Sequence, residues 1–293
     1  MTELVSKPES KESITSKIEL HFLRHGQKEF VKGIPDIELE LTEKGRLQAV
    51  EGSVGEDACQ SLAYGNSKRR TQQTAALRMA GQLDSITGEE SLIELQEKLN
   101  KDLSSKAKRM SRIRVDTRLD LRGEPGTAFE QKADEAFDTT GYLKFLVEES
   151  DDVAEQLGDE HAETYSRMAA RVGEIVGKYI AMAPRWDALV RDVSKQYTGT
   201  LKRFFSTSQG VAESFLAKVI EKTEGIDARN AFVEALDNQG FEFAEGYNIQ
   251  IQHKSDNIVV LQISFHKEEG GQVLFDYNQS IPLNVVEDIT HGK

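Results

Sequence analysis

The sequence predicts an α/β fold, namely a doubly wound, mainly parallel sheet with flanking helices. Short apolar runs end in polar turn residues, helical patterns follow them, and this unit occurs three times. A helical insertion is expected at about 95–165, and a C-terminal β ribbon at about 245–280. The chain has 293 residues and 38% hydrophobic residues, which suffice for a substantial core. We expect a single domain over 18–293 after a disordered N-terminal tail over 1–17.

The first strand is predicted at residues 18–23, which form an uninterrupted run before a charged turn. A helix is predicted at residues 41–50, because Thr42 can cap its first turn. Leu47 and Val50 are expected on its apolar face. This strand, turn and helix form the first unit of the fold.

Two further units follow the same order. A strand at residues 61–64 ends in a Gly-Asn-Ser turn, and helical composition begins at residue 71. A strand at residues 201–207 ends in a Ser-Gln-Gly turn, and a helix is predicted from residue 211. The three strands should therefore lie side by side and parallel, joined by helical crossovers.

The segments between and after these units have different patterns. Alternating apolar and charged residues predict a half-exposed strand at residues 113–121, and residues 129–183 have a helical pattern. The C-terminal ribbon is expected to be antiparallel. Its strands are predicted at residues 249–251, 258–265 and 273–277.

Charge and composition limit the classes of partner. The formal net charge of −13 argues against nucleic-acid or anionic-membrane binding, because these need a broad positive surface. Residues 98–114 form a basic stretch that is interpreted as a solvated helix face. The single cysteine, Cys59, fits a reducing cytoplasm and cannot form an internal disulfide. The polar N-terminus and the lack of a long apolar run predict a cytoplasmic protein that does not associate with membranes.

The candidate site lies where two strands end. Arg24, His25 and Gly26 follow the first strand, and cationic residues Lys68, Arg69 and Arg70 follow the second. Side chains at the carboxyl ends of parallel strands meet at one edge of the sheet, and guanidinium groups bind phosphate oxygens in pairs. A neutral imidazole is a competent nucleophile near neutral pH. The pattern therefore predicts one phosphate pocket.

Three motifs in order resemble those of the histidine phosphatase superfamily, also called phosphoglycerate mutase-like. They are Leu23-Arg24-His25-Gly26, the Leu-Thr-Glu-x-Gly-x-x-Gln-Ala segment at 41–49, and Arg70-x-x-x-Thr74-Ala75. The resemblance implies that His25 forms a phosphohistidine while Arg24 and Arg70 hold the phosphoryl oxygens. Lys68 and Arg69 remain alternatives to Arg70 as the second cation. The resemblance implies no metal and no cofactor.

The third unit departs from the pattern of that superfamily. Its members usually carry a second histidine where this chain has Ser208. Serine can donate a hydrogen bond to phosphate but cannot carry the positive charge of an imidazolium. Loss of such a donor typically costs about a hundredfold to a thousandfold in rate. The expected activity is therefore phosphomonoester hydrolysis that is weak, and the alternative is a non-catalytic module that binds or senses a phosphorylated ligand.

An acidic residue after the second motif should protonate the leaving group. We favour Asp120 and Glu124, and the other candidates are Glu89, Glu90 and Glu94. The expected partner is a small phosphorylated molecule or a similar anion, whose identity the sequence does not specify. It does not specify the oligomeric state either.

Overall fold

The computed structural model describes residues 15–53, 60–102, 112–192, 194–195, 197–254 and 258–292. The tail predicted at 1–17 lies mostly outside these residues, but its last residue, Lys17, begins the first strand. Cys59 and most of the basic stretch at 98–114 also lie outside them.

The described strands form a mixed sheet of seven, in the order β3-β2-β4-β1-β5-β6-β7. Four neighbouring strands, from β3 to β1, run parallel, and the other three pair antiparallel beginning at β1. Their bounds are β1 Lys17–Arg24, β2 Leu62–Gly65, β3 Ile113–Val115, β4 Thr200–Thr207, β5 Gly246–His253, β6 Val259–Glu269 and β7 Gln272–Ile281. The predicted C-terminal ribbon is present and continues the main sheet through β1.

Helices connect the strands of the parallel half and cover the sheet. Their bounds are α1 Glu43–Glu51, α2 Arg69–Ala80, α3 Leu92–Asp102, α4 Ala128–Asp138, α5 Tyr142–Glu148, α6 Ser150–Leu157, α7 Tyr165–Arg191, α8 Val211–Glu224, α9 Ile226–Ala235 and α10 Leu283–Thr290. The predicted cap of α1 is confirmed, since the Thr42 side chain accepts a hydrogen bond from the Gly45 amide.

Two apolar clusters lie on opposite faces of the sheet, the larger along β1, β2 and β4–β7 and the smaller over β2, β3 and β4. Adjacent residues of one strand face opposite sides, so Phe204 belongs to one cluster and Phe205 to the other. The smaller cluster contains α2 and α3, and the larger contains α7, α8 and α10. Helices on both faces confirm the doubly wound prediction.

Two local predictions are wrong. The strand expected at 113–121 ends at Val115, and residues Thr117–Leu119 form a 3-10 turn. The Asp116 side chain accepts a hydrogen bond from the Arg118 amide, which stabilises the turn in place of an extended ladder. Leu47 of α1 is 62% exposed, because the small residues Gly45 and Ala49 form the buried face of that helix.

Candidate active site

The carboxyl ends of β1, β4 and β2 lie at one edge of the sheet. Arg24 at the end of β1 pairs with Thr207 at the end of β4, and Gly65 at the end of β2 pairs with Ser206. The His25 amide donates to the Thr207 carbonyl at 3.1 Å. The parallel order therefore brings the three strand-end segments identified in the sequence to the same edge.

Hydrogen bonds fix the ring of His25. Its Nδ1 lies 2.7 Å from the Gly26 carbonyl oxygen, and its Nε2 lies 3.3 Å from Arg70 Nε. A carbonyl oxygen can only accept, so Nδ1 carries the proton. Nε2 is then the unprotonated nitrogen and accepts from the Arg70 N–H group. The imidazole thus has the tautomer that a nucleophilic histidine requires, and attack by Nε2 would require the Arg70 hydrogen bond to open.

The environment of His25 favours this neutral form. Burial lowers the pKa of His25 to about 3, and the positive charges of Arg70, Arg24 and Lys68 contribute, against the raising effect of the Gly26 hydrogen bond. The side chain is only 7% exposed. His25 is therefore uncharged throughout the physiological pH range.

Arg70 is the predicted cation that the structure brings to His25. It lies in the first turn of α2 and is 3% exposed. Its Nη1 donates to the Asp36 carbonyl at 2.7 Å, and its Nη2 donates to Asp36 Oδ2 at 2.9 Å. Every nitrogen of the guanidinium thus contacts either the imidazole or Asp36.

Asp36 carries a carboxylate that three cations share. Lys28 Nζ lies 2.8 Å from Oδ1, and Lys68 Nζ lies 3.0 Å from Oδ2, beside the Arg70 contact. Although burial raises the pKa of Asp36, the hydrogen bonds from Arg70, Lys28 and Lys68 outweigh it and hold that pKa well below its usual range. We call Lys28, Lys68 and Arg70 the cation cradle.

The contacts of Arg24 differ from those of Arg70. Its Nη1 donates to the Phe241 carbonyl at 2.5 Å, and its guanidinium carbon lies 4.5 Å from the centre of the Phe243 ring. Its Nε is buried and has no hydrogen-bond partner among the described residues. Burial lowers the pKa of Arg24, and the charge of buried Glu213 opposes this most. Its positive charge contributes to the lowered pKa of His25.

Ser208 and Asp120 join the site through the loop that follows β2. The Asn66 amide group donates to Ser208 Oγ at 3.2 Å. Asp120 accepts from the Ser67 amide at 2.8 Å and from the Ser67 hydroxyl at 2.9 Å. Both residues therefore support the loop that carries Lys68.

The other acidic candidates lie in different surroundings. Glu124 is exposed, and its carboxylate makes no hydrogen bond or ion pair within the described residues. Glu90 is 4% exposed and accepts from the Thr87 and Gly88 amides and from Lys98. The Glu90 carboxylate is thus already engaged in its own turn.

Close backbone packing explains the glycine of the first motif. A Cβ at Gly26 would lie 2.4 Å from the Gly45 carbonyl oxygen, a distance that only glycine permits. The Gly26 amide donates to Thr74 Oγ1 at 3.1 Å, which connects the first and third motifs directly.

Sequence reasoning missed Lys28, Asp36 and Glu213. Lys28 and Asp36 lie in the exposed loop between β1 and α1, where no periodicity marks a residue. Glu213 had a detectable signal, since a glutamate three residues after Gly210 at a helix start is typical of a capping arrangement.

No group of three or more His, Cys, Asp or Glu side chains among the described residues could hold a metal ion. No helix among them has both the length and the apolar character needed to cross a bilayer.

Comparisons with known proteins give structural similarities only. No protein-family model matches the sequence, and the comparison with curated proteins gives no significant match. A structure described as mycobacterial hydrolase 1 is 18% identical with a TM-score of 0.48, covering 86% of this chain and 99% of that chain. A mycobacterial glucosyl-3-phosphoglycerate phosphatase is 19% identical with a TM-score of 0.44, covering 84% and 96%.

A third similar structure is phosphoserine phosphatase from Entamoeba histolytica in complex with 3-phosphoglyceric acid. It is 12% identical with a TM-score of 0.31, and the match covers 87% of this chain and 98% of that chain. Identities and scores this low assign neither a reaction nor a residue role to this chain.

Proposed function

We propose that this chain is a member of the histidine phosphatase superfamily and hydrolyses phosphomonoesters through a phosphohistidine on His25. The observation that carries the proposal is the neutral imidazole whose unprotonated Nε2 lies 3.3 Å from Arg70 Nε. The motif containing Thr74, which contacts the Gly26 amide, also supports it.

The reaction would proceed in two displacements at phosphorus. His25 Nε2 forms a bond to phosphorus while the ester oxygen leaves and takes a proton from a carboxylic acid. Water then attacks the phosphohistidine, its proton returns to that carboxylate, and inorganic phosphate leaves the imidazole. Arg70, and Arg24 through its unpartnered Nε, would hold the phosphoryl oxygens on which negative charge accumulates.

Asp120 is the preferred proton donor, and Glu124 is the other candidate. The Asp120 carboxylate accepts from Ser67, whose neighbour Lys68 belongs to the cation cradle. Glu124 lies on an exposed turn, from which it would have to approach the leaving group. The proposed partner is a small phosphorylated molecule in the cytoplasm, and nucleic acid and membranes are not among the proposed partners.

The mechanism predicts a covalent phosphoenzyme that forms only when the His25 imidazole is present. Brief exposure to a radiolabelled phosphomonoester should leave acid-labile label on the wild-type protein and none on His25→Ala. His161→Ala is the matched control, since His161 is exposed and distant in sequence from the motifs. Label retained equally by wild type and His25→Ala would exclude the phosphohistidine.

The second candidate function is a non-catalytic module that binds a phosphorylated ligand. Ser208 favours it, because the Ser208 hydroxyl accepts from Asn66 and supplies no positive charge to a phosphoryl oxygen.

Ser208→His distinguishes the two functions. A gain of about a hundredfold or more in phosphatase rate is expected if the serine weakens a site that otherwise turns over. The measurement is the release of inorganic phosphate, with circular dichroism as the check on folding. No gain, together with tight phosphate binding and no turnover in either protein, would favour the module.

A further inference from the structure

The cation cradle already holds an anion, and that anion belongs to the chain itself. Lys28, Lys68 and Arg70 each contact the Asp36 carboxylate within 3.0 Å. Because Arg70 Nη1 and Nη2 both donate to Asp36, neither is available to a phosphoryl oxygen in this arrangement. A ligand that uses this guanidinium must first displace Asp36.

The segment that carries Asp36 is exposed and contributes no side chain to the core. Residues Asp36–Glu38 form a 3-10 turn in which no residue is buried. The Asp36 side chain is 45% exposed in spite of its three ion pairs. Both ends of the loop are anchored, by the bridge between Lys28 and Leu41 and by the buried side chain of Leu39. Displacing the Asp36 carboxylate therefore removes no side chain of this turn from the core, but it breaks three ion pairs, which the phosphoryl group must replace.

Charge favours the exchange of Asp36 for phosphate. The cradle has three positive charges and Asp36 supplies one negative charge, so an excess of positive charge remains beside His25. A phosphoryl group offers nearly two negative charges and three acceptor oxygens. Two anions in one cradle would repel each other, so phosphate binding and Asp36 binding should exclude one another.

We propose that Asp36 competes with the phosphoryl group of the substrate for the cation cradle and so sets the phosphate affinity of the site. The inference rests on the proposed function, because it takes the cradle as the phosphate site. Asp36 keeps the cations paired when no ligand is present, and a substrate binds by displacing it. The affinity of the site for phosphate is thus lower than it would be if the three cations had no Asp36 carboxylate to pair with.

Titration with inorganic phosphate tests the inference without turnover. Asp36→Asn preserves the size of the side chain and removes its charge, so phosphate should bind about tenfold more tightly in isothermal titration calorimetry. Glu38→Gln is the matched control, because Glu38 lies in the same turn and makes no ion pair within the described residues. Its affinity for phosphate should equal that of the wild type.

Unchanged or weaker phosphate binding by Asp36→Asn would overturn the inference, since Asp36 would then be a positioning residue for Arg70. Absence of phosphate binding in all three proteins would also overturn it. Hydrolysis assays separate this result from the proposed function. Tighter binding with no turnover would contradict only the phosphatase, whereas turnover without tighter binding would contradict only the competition.

Discussion

Glu213 is a buried acid that the proposed chemistry does not use. Its carboxylate accepts from the Gly210 amide at 3.0 Å and from the Phe241 amide at 3.1 Å. Arg24 donates to the carbonyl of that same Phe241, so the two charged side chains fix one peptide segment beside His25. Burial raises the pKa of Glu213 to about 7, against the lowering effect of its hydrogen bonds and of Arg24.

Glu213 and two histidines should affect stability in opposite directions as pH changes. Burial raises the pKa of Glu213 from 4.5, so between pH 4.5 and about 7 the folded protein binds the extra proton and stability falls as pH rises. Burial lowers the pKa of His21 to about 4 and that of His25 to about 3, from 6.5 in each case. Below about pH 6.5 the two histidines are protonated in the unfolded chain but stay neutral in the folded protein until about pH 4 and 3. Their contribution to the unfolding free energy therefore rises with pH over this range.

We expect Glu213→Gln to steepen the increase of unfolding free energy with pH between about 5 and 6.5. Each group contributes about 1.4 kcal/mol per pH unit, so the slope should increase by about that amount. Urea unfolding at several pH values measures the slope independently of the overall loss of stability. Glu160→Gln, an exposed control, should leave the slope unchanged. Parallel curves for wild type and Glu213→Gln would contradict the assignment of a raised pKa to Glu213.

Motifs that fix both residue type and spacing predicted that His25 and Arg70 meet at one edge of the sheet, and their side chains lie 3.3 Å apart. Their roles at phosphorus stay a prediction. Asp36 was not predictable, because its partner Lys28 is eight residues away on the same exposed loop and Arg70 is 34 away. Ion pairs formed by loop geometry leave no periodic signal in a sequence.

Among the elements, α1 and β3 show where pattern reasoning fails. The apolar face expected for α1 assumed that large side chains are buried, but Gly45 and Ala49 pack there because the helix approaches the backbone of the Gly26 turn. The alternating pattern after Ile113 predicted that the strand continues. Instead, the Asp116 side chain accepts a hydrogen bond from a nearby backbone amide, and this bond starts a 3-10 turn.

The three strand, turn and helix units were predicted correctly because their signals agree. In each unit an apolar run, a turn residue and a helical periodicity occur in the order that a parallel crossover requires. The pairing of β1 with β5 was not predicted, since sheet neighbours distant in sequence have no local signature. The C-terminal ribbon was therefore recognised as antiparallel but not as part of the main sheet.

At the scale of the whole molecule, β1 lies at the centre of the sheet. It pairs with β4 on one side and β5 on the other, and its residues Ile18, Leu20 and Phe22 are buried in the larger apolar cluster. The last strand in the order, β7, pairs with β6, and several of its residues are exposed, including Val273 and Leu274. The candidate site is thus attached to a strand that is hydrogen-bonded on both sides and buried along one face.

We expect the amides of β1 to exchange with solvent deuterium only when the whole domain unfolds. Residues 272–276 in β7 should exchange faster, by about a hundredfold or more, because local opening exposes them without breaking the core. Hydrogen–deuterium exchange with mass spectrometry of peptides from both strands measures the difference. A low concentration of urea should increase the amide exchange rate of β1 far more than that of β7, because global unfolding exposes more surface than local opening does. Equal protection of the β1 and β7 amides from exchange would show that the sheet opens as one unit. The burial of β1 would then not explain how His25 is held in place.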